Sequence, residues 1–235
     1  MSQFQFTRFN YLPPVIKNLL ILNGLVFLAT LVFPSLLYKI ALYYPSSPLF
    51  QPFQIVTHIF THGSFGHVFF NMFSLWMFGT VLENIWGPKR FLTFYFITGL
   101  GAALLHMGVH AYQIYEVVGT VNPDITIRGN MISGPYTESQ LETISTYLAP
   151  TVGASGAVYG ILIAFGMLFP NTLLYIYFLL PIKAKYLVIF LIGMELYLGF
   201  LNNPGDNIAH FAHLGGALFG FILVKVWGRT RNRFY

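Results

Sequence analysis

The sequence predicts an all-α polytopic membrane protein in which 1–235 form a single domain, a bundle of six transmembrane helices with both termini in the cytoplasm. Of its 235 residues, 56% are hydrophobic and 8% are charged, whereas soluble domains carry about 25% charged residues. Uncharged apolar stretches of about 18 residues or more recur along the chain, and a helix of this length crosses a bilayer. The basic residues also cluster on alternate connections, which is typical of membrane proteins.

The apolar stretches define the elements in order. The predicted spans are 15–37, 65–83, 90–110, 153–170, 185–201 and 207–227. Turn-forming residues separate the second span from the third at 86–90, and the fifth from the sixth at 202–206. The proline-bounded stretch 171–182 is expected to lie in the membrane interface. Residues 111–150 carry most of the acids and much Pro, Gly, Ser and Thr, which indicates a polar, non-cytoplasmic surface loop.

The basic residues give the orientation. With six spans, the termini and the 2–3 and 4–5 connections share one side, and that side is the basic one. Its basic residues are Arg8, Lys17, Lys89, Arg90, Lys183, Lys185, Lys225, Arg229, Arg231 and Arg233, against Lys39 and Arg128 on the other side. This asymmetry predicts cytoplasmic termini. The short ends and the lack of a transit peptide favour a bacterial inner membrane.

Composition excludes two classes of function. The net charge of +5 does not indicate a nucleic-acid partner, because the chain has no basic stripe and no recognition motif. Cysteine is absent, which excludes disulfides and thiolate chemistry.

Two motifs carry candidate chemistry. Ser155 lies in Gly-Ala-Ser-Gly at the start of the fourth span, and His213 lies in the first turns of the sixth. Taken alone, Ser155 fits a small packing residue beside the Gly156/Gly160 pair, and His213 fits a donor to a neighbouring carbonyl. Both helices enter from the same face, however, so the hydroxyl and the imidazole would meet as nucleophile and general base if the loop before Ser155 dips inward.

The segment 153–156 together with Ala212-His213-x-x-Gly216 resembles the catalytic core of the rhomboid intramembrane serine proteases. The resemblance covers about 15–227 and implies a Ser155–His213 dyad without the orienting acid of a triad. Three glycines of these motifs are supporting residues: Gly153, Gly156 and Gly216. Tyr159 stands where the family packs a tyrosine on the catalytic histidine. His210 lacks the glycine three residues later, so it is a decoy or a supporting residue.

A third motif lies at the start of the second span. His67 and Asn71 resemble the family's H-x-x-x-N, whose side chains line the oxyanion hole. At positions i and i+4 they share a helix face, and with the Ser155 N–H they would supply donors for a tetrahedral intermediate. The alternative is that both side chains only hydrogen-bond neighbouring helices.

The resemblance implies peptide-bond hydrolysis in or near the transmembrane helix of single-span membrane proteins, without cofactor or metal. Two features depart from the family. Phe53-Gln54 replaces the Trp-Arg pair of many members, and Glu195, inside the fifth span, has no counterpart we can name. An acid inside a span indicates function, and lateral gating is our interpretation for Glu195.

Three alternatives stay open. A haem or metal protein is suggested by seven histidines, which include the pairs His58/His62, His106/His110 and His210/His213. No acidic residue joins these pairs in the sequence, and the HExxH motif is missing. A non-catalytic rhomboid relative would typically lack the serine or the histidine. A transporter would show internal repeats or paired broken helices, which we do not find.

Overall fold

The prediction of a polytopic helical bundle is confirmed by a computed structural model, which describes residues 9–128, 131–176, 180–201 and 209–231. The helices are α1 (Pro14–Val32), α2 (Pro34–Ile40), α3 (Gln54–Thr57), α4 (Phe65–Ser74), α5 (Thr80–Trp86), α6 (Pro88–Val118), α7 (Glu138–Tyr147), α8 (Ser155–Leu168), α9 (Ala184–Leu201) and α10 (His210–Arg231). Two hairpins complete the described fold, β1 (Thr126–Arg128) with β2 (Met131–Ser133) and β3 (Leu173–Ile176) with β4 (Leu180–Lys183). The predicted break 202–206, the start of the sixth span at 207, and Arg8 and Arg233 lie outside the described residues.

Five of the six predicted spans are helices long and apolar enough to cross a membrane. They are Pro14–Val32, Phe65–Trp86, Pro88–Val118, Ala184–Leu201 and His210–Gly228. The fourth predicted span is the shorter helix α8, whose 14 residues extend only about 21 Å at 1.5 Å per residue. Its first residue is Ser155, so the chain before the serine is not helical.

Helix α8 is the centre of the bundle. It packs against α6, α9 and α10, and nine of its 14 residues are buried. Of the 18 most apolar consecutive residues, only 22% are buried inside the protein in α1 and in α9, against 44% in α6. Large apolar side chains such as Leu25, Phe190 and Phe200 are exposed on α1 and α9. These two helices therefore form the periphery that a membrane protein presents to lipid.

Helix α1 is shorter than predicted. It ends at Val32 because Pro34 has no N–H and disfavours helical geometry at the residue before it. At its start, the Glu83 carboxylate of α5 accepts the backbone N–H groups of Val15 (3.0 Å) and Ile16 (2.8 Å). This carboxylate satisfies two orphan donors and opposes the positive end of the helix dipole.

The second span is continuous from Phe65 to Trp86, three residues beyond its predicted end. Ser64 caps it by accepting the His67 N–H, and a π-helical turn at Leu75–Gly79 joins α4 to α5. Such a wider turn rotates the following residues relative to the preceding ones. The span ends at Gly87, whose φ of 78° favours glycine.

The surface-loop interpretation of 111–150 is wrong for much of that segment. Helix α6 continues to Val118 because no glycine or proline occurs between 109 and 118, and Gly119 ends it at φ 73°. Further on, Thr137 and Gln140 form a capping box that starts α7. Helices α6 and α7 enclose a small apolar cluster of Tyr44, Ile114, Ile144 and Leu148.

The stretch 171–182 contains the β3–β4 hairpin, in which Leu174 pairs with Ile182. Of the side chains that the structure describes there, Leu173, Tyr175 and Leu180 are exposed. Its placement in the membrane interface stays a prediction.

Candidate active site

The loop before α8 brings Ser155 into the bundle. Thr151 exchanges two backbone hydrogen bonds with Leu42 (2.8 and 2.9 Å), and the Gly153 N–H donates to the His58 carbonyl (2.9 Å). Gly153 has φ 125°, a backbone conformation that residues other than glycine rarely adopt. The first loop of the chain thus holds this segment, and Ser155 starts α8 where the helix dipole is positive.

The structure brings the predicted nucleophile and base together. His213 Nε2 lies 2.8 Å from Ser155 Oγ, although the two residues are 58 positions apart. The imidazole stacks on the Tyr159 ring, with centroids 4.3 Å apart and planes 10° from parallel. Tyr159 lies one turn after Ser155, so one helix carries both the nucleophile and the surface that orients the base.

Glycines set the distance between α8 and α10. A Cβ on Gly216 would lie 1.8 Å from the Gly156 carbonyl oxygen, and a Cβ on Gly220 would lie 2.8 Å from Gly160 Cα. The two backbones are therefore in direct contact, as small residues permit between membrane helices. This contact holds the second turn of α10 against the first turn of α8, next to the turn that carries His213.

His67 lies beside the serine, and Asn71 follows it one turn later on α4. A Cβ on Gly153 would lie 2.6 Å from His67 Nε2 and 3.5 Å from Ser155 Oγ, so the imidazole borders the serine across this glycine. Asn71 is buried one turn further along α4, and its Nδ2 has no hydrogen-bond partner among the described residues. An unsatisfied buried donor is costly, and a group that awaits an acceptor is one explanation for it.

Glu195 also belongs to the site, and sequence reasoning did not assign it there. Its Oε1 lies 3.0 Å from His213 Nδ1, its Oε2 lies 2.6 Å from His210 Nδ1, and it accepts a hydrogen bond from the Tyr159 hydroxyl. The expectation that no acid joins the histidine pairs is therefore wrong for His210 and His213. These two residues and Glu195 hold donor atoms within 4.8 Å of one another. The signal was present in the sequence, since an acid inside a span rarely lacks a partner there.

Two of the remaining histidines support the first loop and the loop before α8. His58 Nδ1 lies 2.8 Å from the Gln54 carbonyl oxygen, and His106 Nε2 lies 3.0 Å from Thr151 Oγ1. Burial lowers the pKa of His58 to about 4 and that of His62 to about 3, so both imidazoles are neutral at physiological pH. Gln54, which replaces the arginine of many rhomboids, is itself buried and accepts the Gln51 N–H. His58, His106 and Gln54 therefore hold the geometry of these loops.

Comparison with known proteins identifies the family. Residues 49–230 match the family model described as Rhomboid domain. The chain is 32% identical over 178 residues to RHOMBOID-like protein 12, mitochondrial, of Arabidopsis thaliana (76% of this chain, 46% of the relative). It is 25% identical to Rhomboid protein 1, mitochondrial, of Saccharomyces cerevisiae (77% and 44%), and 29% identical to Rhomboid protease AarA of Providencia stuartii (69% and 51%). The chain spans about half the length of these curated relatives.

Proposed function

Because the chain belongs to the rhomboid family, we propose that it is an intramembrane serine endopeptidase that cuts other membrane proteins in or near a transmembrane helix. The observation that carries the proposal is the 2.8 Å contact between Ser155 Oγ and His213 Nε2. A serine hydroxyl is a weak nucleophile until an adjacent base removes its proton, and this contact supplies the base. Retention of both residues favours a protease over a non-catalytic relative that escorts membrane proteins.

The proposed reaction is acyl transfer. His213 Nε2 takes the proton of Ser155 as Oγ attacks the substrate carbonyl, and the tetrahedral intermediate carries the negative charge on the former carbonyl oxygen. His213 then donates that proton to the leaving amine, which frees one product and leaves an acyl ester on Ser155. Water, deprotonated by the same imidazole, hydrolyses the ester and restores the serine. The scheme uses only side chains of this protein and water, with no cofactor or metal.

Three donors would stabilise the intermediate. The Ser155 N–H lies at the start of α8, His67 borders the serine across Gly153, and the Asn71 amide has an unused donor. Removal of one oxyanion donor typically costs about 10²–10³ in kcat. The unsatisfied Asn71 Nδ2 supports this role over a purely structural one, because a structural amide would have its partner in the resting protein.

The proposed substrates are single-span membrane proteins that enter sideways from the lipid. A helical carbonyl is hydrogen-bonded and shielded, so the substrate must unwind where it is cut. The peripheral position of α9 supports entry between the second span and α9, because few contacts hold α9 there. A small cavity beside Ser155, bounded by His58, Thr151 and Ala212, offers a position for the hydrolytic water.

The proposed orientation has both termini in the cytoplasm of a bacterium, with the protein in the inner membrane. It is supported by the basic residues on the termini and on the 2–3 and 4–5 connections. Reporter fusions at the C-terminus and within 119–137 test it, since they must report opposite sides. Cell fractionation tests the membrane assignment, because two of the relatives compared are named as mitochondrial.

Reporter cleavage tests the function. The purified protein and its Ser155→Ala and His213→Ala variants are placed in proteoliposomes with a single-span reporter, and Ser145→Ala, at an exposed position on α7, is the matched control. We expect the wild type and Ser145→Ala to cut at equal rates and the other two not to cut. Cleavage by Ser155→Ala at the wild-type rate would falsify the mechanism. A wild type that neither cuts nor reacts with a fluorophosphonate at Ser155 would indicate the escort function.

A further inference from the structure

Glu195 has an unusual environment for an acid in a membrane span. Glu195 is only 7% exposed, although it lies on α9, whose outer face consists of large apolar side chains. A carboxylate in such a place is expensive unless charge or hydrogen bonds compensate it. Its contacts include Tyr159 on α8 and His210 and His213 on α10, so these partners, among the residues that the structure describes, belong to the two helices that carry the proposed dyad.

The carboxylate faces the side of the base that is turned away from the nucleophile. His213 Nε2 contacts Ser155 Oγ at 2.8 Å, and His213 Nδ1 lies 3.0 Å from Glu195 Oε1. The Nδ1 contact has the distance of an ion pair but lacks the alignment of an ordinary hydrogen bond. Its effect is therefore mainly electrostatic. A negative oxygen beside Nδ1 still favours the tautomer protonated at Nδ1, which leaves the Nε2 lone pair to accept the serine proton.

Two other groups hold the carboxylate in place. The Tyr159 hydroxyl donates to Oε1, and His210 Nδ1 lies 2.6 Å from Oε2. Tyr159 also stacks on the His213 ring, so one side chain orients both the base and its acid. The result is a fixed carboxylate aimed at the base, as a nucleophile–base–acid relay requires.

We propose that Glu195 is the positioning residue of His213, so that the site is a Ser155–His213–Glu195 relay rather than a dyad. The inference rests on the proposed protease function. Before the reaction, Glu195 sets the tautomer and orientation of His213. When His213 takes the proton of Ser155, the carboxylate stabilises the imidazolium and remains ionised. His210 acts through Glu195, whereas Tyr159 acts both through Glu195 and through its own stacking on His213.

A bound metal is the competing explanation of the same cluster. Glu195, His210 and His213 offer three donor atoms within 4.8 Å of one another, enough for a zinc site with one open position. Direct contacts between the carboxylate and both imidazoles already account for the closeness of these atoms, and so does the tyrosine hydroxyl on the same carboxylate. A zinc ion on His213 Nδ1 would also occupy the nitrogen that the relay needs protonated.

The test uses the full chain with Glu195→Gln, Glu195→Asp and the exposed control Glu142→Gln. We expect Glu195→Gln to lower kcat by up to about 10⁴-fold, the size of the loss that follows removal of the acid in a triad, while KM changes less than about twofold. Glu195→Asp should recover part of kcat, and Glu142→Gln should match the wild type. A wild-type kcat in Glu195→Gln overturns the proposal. So does a loss of kcat that accompanies a lower thermal midpoint and is not recovered in Glu195→Asp, because it would indicate a purely structural role.

A second readout does not depend on cleavage. The ¹⁵N shifts of His213 should show the Nδ1–H tautomer in the wild type and a mixture in Glu195→Gln. Identical spectra overturn the inference, and so does stoichiometric zinc in purified wild type. If the wild type shows the expected tautomer but neither cuts a reporter nor reacts with a fluorophosphonate, the protease proposal fails and the assignment of Glu195 as the partner of His213 stands.

Discussion

A single methyl group at Gly216 should separate the nucleophile from the base. The added Cβ would lie 1.8 Å from the Gly156 carbonyl oxygen, whereas Cβ atoms essentially never approach another heavy atom closer than 3.0 Å. Both partners are backbone, so no side chain can rotate away. Helices α8 and α10 must therefore separate locally by more than about 1 Å, which stretches the 2.8 Å contact between Ser155 and His213 beyond hydrogen-bond range.

This displacement has an expected size in both activity and stability. A misplacement of about 1 Å costs about 10²-fold in rate, and overpacking a tight contact costs about 1–3 kcal/mol. We therefore expect Gly216→Ala to react with a fluorophosphonate at least about 10²-fold more slowly than the wild type, with a lower thermal midpoint in detergent. Gly108→Ala is the matched control, because a Cβ there meets nothing within 4 Å. Wild-type labelling and stability in Gly216→Ala would refute the direct backbone contact.

Three further predictions concern other parts of the protein. Glu83→Gln should lower the free energy of unfolding by about 1–3 kcal/mol, because one of the two N–H groups at the start of α1 loses its acceptor. Denaturant unfolding measures this change, and an unchanged unfolding midpoint would contradict it. Asn71→Ala should lower kcat by about 10²–10³-fold with KM nearly unchanged in the reporter assay, and a loss confined to KM would argue against the oxyanion role. His58 and His62 have folded-state pKa values below the unfolded value of 6.5, so their contribution to stability is complete above pH 6.5. It is lost as the pH falls toward about 4 and about 3, at up to about 1.4 kcal/mol per pH unit for each group. The free energy of unfolding, measured at pH 7.5 and at pH 5, gives the loss. If the free energy of unfolding of His62→Gln fell by as much between these pH values as that of the wild type, the share assigned to His62 would be refuted.

Much of the fold follows from sequence because lipid imposes a simple rule. A span needs a long apolar run, so the positions of the helices were predictable to within a few residues at most ends. The exceptions have local causes. Pro34 ends α1 early, and α6 extends eight residues beyond its predicted end because its apolar and polar residues remain helix-compatible as far as Gly119. The capping box at Thr137 was readable in the sequence and would have predicted α7.

The site was predictable where residues have fixed spacing and less so where the tertiary fold joins them. The glycine motifs predicted that Ser155 and His213 would meet, and their side chains lie 2.8 Å apart in the structure, while their catalytic role stays a proposal. The third partner was not accessible in the same way. Glu195 lies in no motif, and its distance from His213 depends on the rotation of α9 about its own axis, which the sequence does not encode in any local pattern.

Glu195 also constrains how the protein is made. Helix α9 is synthesised before α10, so an acidic group enters the bilayer before His210 and His213 exist to receive it. An acid near the middle of a span raises the cost of insertion by about 2.5–3.5 kcal/mol. Until translation reaches α10, only Tyr159 among the three partners is available to the carboxylate. We therefore expect α9 and α10 to complete their insertion as a pair, with the histidines of α10 stabilising the carboxylate of α9 in the bilayer.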